Sequence, residues 1–161
     1  MFIAQLFGNT IADMSHTQTV SAIVLSLLLA ILGMFIASFP LELYTFFVAP
    51  MFLGDNFMNW ITGGLFGEIA INWFPPFAQG AAGTGFGLGV CALIFRKANF
   101  VIVAYSVGAL IVALATLSLM IEFTQYGATL KHVAVIGNTV GALVGLGYTA
   151  QFAKETSGNL F

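Results

Sequence analysis

Three polar side chains in an otherwise apolar sequence have chemistry to offer: Glu122, Gln125 and Asn138. Residues three apart share one face of a helix, so Glu122 and Gln125 present a carboxylate and an amide side by side. A charged side chain at the centre of a bilayer costs roughly 2.5–3.5 kcal/mol, and less near the interface. A buried polar group left without a partner costs about 1–3 kcal/mol. These residue types therefore predict a hydrogen-bonding cluster, with Glu122 or Gln125 bonded to Asn138 or to the backbone where the next helix begins. The alternative is an interfacial Glu and a helix-capping Asn, each solvated separately. Other chemistry is thinner. His16 and His132 are far apart in the sequence and do not suggest a shared metal. Ser118 has no base near it and no G-x-S-x-G surrounds any serine, so nucleophilic hydrolysis is not expected. The single Cys91 excludes a disulfide framework or a cysteine metal cluster and reads as a small packing residue. No catalytic residue, cofactor or metal is expected, and the protein is not read as an enzyme.

The elements that must position these groups follow from composition. Of 161 residues, 60% are hydrophobic and 6% are charged, against about 25% charged in soluble domains. Four Lys and Arg cannot track a phosphate backbone, so nucleic acid is excluded as a partner. Crossing the hydrocarbon core takes about 20 apolar residues, and four runs qualify: Val20 to Leu41, Phe77 to Phe95, Phe100 to Met120 and Val133 to Phe152. The expectation is an all-α integral membrane protein, one transmembrane domain over residues 1–161 with four transmembrane helices. Residues 1–19 carry no basic n-region of the kind that opens a signal peptide and read as an interfacial tail or helix. Residues 42–76 hold both tryptophans, Asp55, Glu68 and three of the four prolines. They form an extracytoplasmic connection that is either interfacial or, through 57–72, re-entrant or an extra span.

Short loops rich in Lys and Arg stay cytoplasmic. Arg96 and Lys97 lie between spans two and three, which puts both termini inside and residues 42–76 outside. Glycine is patterned. Gly137, Gly141 and Gly145 recur every fourth residue, and Gly83, Gly85, Gly87 and Gly89 every second. Small residues four apart give a flat helix face that admits a neighbouring backbone, so Gly137, Gly141, Gly145, Gly83 and Gly87 are expected at helix contacts. The glycine run of span two lacks the G-x-G-x-x-G spacing of a dinucleotide loop.

Ile121-Glu122-x-x-Gln125, followed by Asn138-Thr139-x-Gly141-x-x-x-Gly145, resembles the VanZ-like family of small membrane proteins over about residues 119–148. A weaker echo is Asn72-Trp-Phe-Pro-Pro-Phe77. The family usually adds an Arg after the glutamine and an acidic residue before the asparagine. Here Ala134 occupies the acidic position, and only Lys131 and His132 lie in the loop. The resemblance implies four transmembrane helices in a bacterial inner membrane, and an association with glycopeptide susceptibility for the founding members, without an established reaction. It points to a non-catalytic envelope protein acting on lipid precursors through Glu122, Gln125 and Asn138. The alternative is an accessory subunit of a larger photosynthetic or respiratory membrane complex, with other membrane subunits as partners besides the lipid bilayer.

Overall fold

The computed structural model describes the backbone of residues 2–48, 50, 51, 54, 56, 59 and 63–158, and side chains within these from 16 to 153. Four long helices make up the fold: α1 (Phe2–Leu43), α2 (Leu65–Ile94), α3 (Phe100–Tyr126) and α4 (Leu130–Gly158). A π-helical turn, Tyr44–Val48, extends α1. Each helix is long and apolar enough to cross a membrane, over His16–Val48, Leu65–Ile94, Phe100–Tyr126 and Leu130–Ala153. Large apolar side chains point outward all round: Phe35, Phe39, Leu93, Tyr105 and Tyr148 are among the most exposed. An aqueous surface of that kind would aggregate, whereas lipid solvates it. The protein is a four-span helical membrane protein, all-α as its apolar runs predict.

The helices exceed the predicted spans. α1 continues without a break from Phe2, through the stretch read as an interfacial tail, and carries Pro40 in its last turn. α2 begins at Leu65 and runs through Pro75 and Pro76, so residues 65–76 of the predicted connection are helical. Proline ordinarily breaks a helix by removing a backbone donor, yet in membranes neighbouring helices stabilise such segments. Here α4 backs the proline turn closely. A Cβ added to Gly137 would lie 2.8 Å from the Trp73 carbonyl oxygen. Asp55 and Trp60 of the connection lie outside the described residues.

Packing rests on small residues. α1 buries Ala22, Ser26, Ala30 and Gly33 along one face, and α2 turns Gly83 and Gly87 to it. A Cβ on Gly87 would lie 2.7 Å from the Ser26 carbonyl oxygen. The opposite side of α2 meets α4. There Gly141 abuts the Phe77 carbonyl, Gly145 abuts Ala81, and Gly80 abuts Asn138, all backbone against backbone. The buried Thr84 hydroxyl lies 2.8 Å from the Gly80 carbonyl and 2.9 Å from the Ala142 carbonyl, so its one proton is shared across the α2–α4 contact. α3 packs on α4 and α1 and scarcely touches α2.

The turn between α2 and α3 is pinned by the start of the α1 span. The Lys97 backbone N–H donates to Gln18 Oε1 (3.1 Å), and that of Asn99 donates to Thr19 Oγ1 (3.0 Å). Asn99 in turn caps α3 by accepting from the Ile102 N–H at 3.2 Å. At the other end α3 stops at Gly127, whose φ of +69° suits glycine.

These anchors divide the bundle into unlike halves. Ala22, Leu88, Cys91, Phe100, Val103, Val107, Leu146 and Ala150 form a continuous buried core. Every one of them lies in the half nearest Arg96 and Lys97. The far half, toward Glu42, Glu122 and Leu130, is hollow.

Candidate functional site

The hollow follows from side-chain size. In the far half α1 presents Leu27, Ala30, Ile31 and Met34, while α3 presents Ile111, Leu114, Ala115 and Ser118. α2 and α4 are held together there by glycines, and among the described residues no side chain fills the space between that pair and α3. The result is a cleft of about 480 Å³ bounded by all four helices, completed by Pro76 and Gln79 of α2 and Ala134, Val135, Asn138 and Thr139 of α4. Its volume is within the roughly 300–1,000 Å³ typical of small-molecule sites. The walls are aliphatic, and the polar groups are the amides of Gln79 and Asn138 and the hydroxyls of Ser118 and Thr139. Thr139 donates to the Val135 carbonyl at 2.7 Å, so its proton is used within its own helix.

A second cavity of about 270 Å³ adjoins the first and shares Pro76 and Gln79 with it. Glu42, Thr45 and Phe46 of α1 and its π-helical turn line it, with Ile71, Asn72 and Pro75 of α2. Single π-helical turns within α-helices are frequent at functional sites. Among the described residues that line it, none is Lys, Arg or His.

Of the three predicted polar residues, the structure brings one to the cleft. Asn138 lines it. Glu122 lies one turn beyond Ser118 on the same face of α3, outside the cleft, half-buried with Oε2 enclosed and unpartnered. Gln125 is exposed. Among the described residues no hydrogen bond joins the side chains of Glu122, Gln125 and Asn138. Beside Glu122, Phe123 packs edge-on against the His132 ring, 6.0 Å between centroids. His132 Nδ1 lies 2.9 Å from the Thr129 backbone N and 3.0 Å from the Thr129 carbonyl oxygen, and His132 Nε2 is enclosed without a partner. His16 lies near Gln18, at the opposite end of the bundle from His132.

Sequence reasoning missed Gln79, Glu42, Thr45 and the role of Ser118. One signal was available. Pro75 and Pro76 withhold the backbone donors that the carbonyls of Ile71 and Asn72 would meet in an unbroken helix, and Ile71 and Asn72 both line the second cavity. The arrangement can hold an elongated molecule and offer it hydrogen bonds at one end. Among the described residues, the Thr45 hydroxyl beside Glu42 donates to the Leu41 carbonyl and not to the carboxylate. Compared with known proteins, the chain matches no protein-family model, no curated protein and no solved structure.

Proposed function

We propose that this chain is a VanZ-like protein of the bacterial inner membrane, non-catalytic, that engages lipid-linked envelope precursors from the outer leaflet and so affects how such molecules, or the glycopeptides that target them, meet the cell surface. In this reading Arg96 and Lys97 face the cytoplasm, both termini are inside, and the hollow half opens outward. Reporter fusions at the C-terminus and near Asp55 then report opposite sides of the membrane. The same side for both contradicts the orientation.

The observation that carries the proposal is the contrast between the halves: a close-packed core at one end and, at the other, an apolar cleft to which Asn138 and Thr139 of the family motif contribute. Interiors normally close such spaces. A cleft walled by aliphatic groups, opening toward lipid and tipped with amides, suits a hydrocarbon chain whose polar end stays near the interface.

Purification in mild detergent, followed by native mass spectrometry, tests the proposal. A near-stoichiometric small amphiphile on the wild-type chain is the expected result. A stoichiometric second protein with the cleft free of any amphiphile overturns it in favour of an accessory subunit.

A further inference from the structure

We infer that the second cavity is a head-group site for an amphiphile bearing an ammonium group, the apolar chain of which lies in the larger cleft. The inference rests on the cleft reading above and adds the chemical class of the ligand. Its basis is an imbalance between acceptors and donors. Glu42 contributes a carboxylate. The Thr45 hydroxyl donates to the Leu41 carbonyl at 2.8 Å, which spends its proton and leaves its oxygen as an acceptor. Asn72 Nδ2 donates to the Glu68 carbonyl at 2.7 Å, which leaves Oδ1 available. The carbonyls of Ile71 and Asn72 lack their α-helical donors, because the residues four further on are Pro75 and Pro76. Against these stand, among the described residues, the Gln79 amide and one remaining Asn72 proton, and no Lys, Arg or His. An ammonium supplies donors and the one charge that complements Glu42. A bare phosphate brings only acceptors and repels it.

Length and direction agree with an amphiphile. Leu27 in the cleft and Glu42 in the head-group cavity are separated by roughly 22 Å of helix at 1.5 Å per residue. One leaflet contributes about 15 Å of hydrocarbon. The two cavities, joined at Pro76 and Gln79, thus run from the interface toward the bilayer centre, polar end outermost. The π-helical turn Tyr44–Val48 carries Thr45 and Phe46 into the cavity wall.

The test uses the full-length protein in mild detergent and three amphiphiles sharing one saturated chain, with a primary amine, an alcohol or a phosphate as head. Bound ligand stabilises the native state by mass action, so thermal shift against concentration gives each affinity. The amine is expected to bind about tenfold more tightly than the alcohol, as one charge-assisted hydrogen bond implies, with the phosphate weakest. Glu42→Gln should bring the amine to the level of the alcohol and leave the alcohol unchanged. Equal shifts for all three heads, or the phosphate strongest, overturn the head-group assignment and leave the cleft standing. No shift with any head overturns both. A Glu42→Gln protein that still prefers the amine removes Glu42 from the site.

Discussion

Gly141→Ala is expected to lower the melting temperature in detergent by on the order of 10 °C or to prevent folding. The new methyl would occupy the space of the Phe77 carbonyl, and it would also stand 2.9 Å from the Phe77 Cα. Neither group can rotate away, because both are backbone of α2. α4 would have to withdraw, opening the α2–α4 contact that Gly137, Gly145 and the Thr84 bridge also maintain. Overpacking of this kind costs roughly 1–3 kcal/mol where side chains can adjust and more where backbone must move. In a chain of this size each kcal/mol is worth about 2–4 °C. Gly147→Ala is the control, since nothing lies within 4 Å of a Cβ there. It should leave the melting temperature unchanged or raise it slightly. Equal losses for the two variants would show that the glycine stripe does not carry the contact.

The fold was legible because lipid imposes a coarse rule. Apolar length alone marks a span, and the runs ending before Arg96-Lys97 and at Met120 left little choice about where chain reversals fall. Pro75-Pro76 misled at the start of α2, because proline signals a helix end in water but is tolerated where another helix packs against the turn. The four-residue spacing of Gly137, Gly141 and Gly145 was visible in the sequence, whereas their partner, the carbonyl side of Trp73, Phe77 and Ala81, was not. Asn138 was visible as a polar residue in an apolar run. That it faces Gln79 and Ser118 across a cleft, with Glu122 a turn away, depends on the relative rotation of helices, on which a nearly uniform apolar surface gives no information. The cleft itself had no sequence signature, since it arises from what Ala115 and Ala134 leave unfilled.

Filling that space is expected to separate stability from function. Ala115→Phe adds a ring at a wall of the cleft that Leu27, Ile31 and Ala134 also line. Cavity-filling changes commonly add about 0.5–2 kcal/mol, so the melting temperature of the ligand-free protein should hold or rise by a few degrees. Amphiphile retained through purification should fall at least tenfold, a loss of about 1.4 kcal/mol in binding. A variant that keeps its amphiphile at the wild-type level would mean that the molecule sits elsewhere on the surface.

The most direct measurement places the chain of the ligand. An alkylamine carrying a diazirine near the end of its chain is bound to the purified protein, irradiated, and mapped by mass spectrometry. Labels concentrated on the cleft walls, at Ile111, Ala115, Ser118, Ala134 and Val135, and competed by excess unlabelled alkylamine, are the expected result. Labels spread over the outward-facing Phe35, Tyr105 and Tyr148, with the cleft walls unmarked, would show that the hollow half of the bundle holds no ligand.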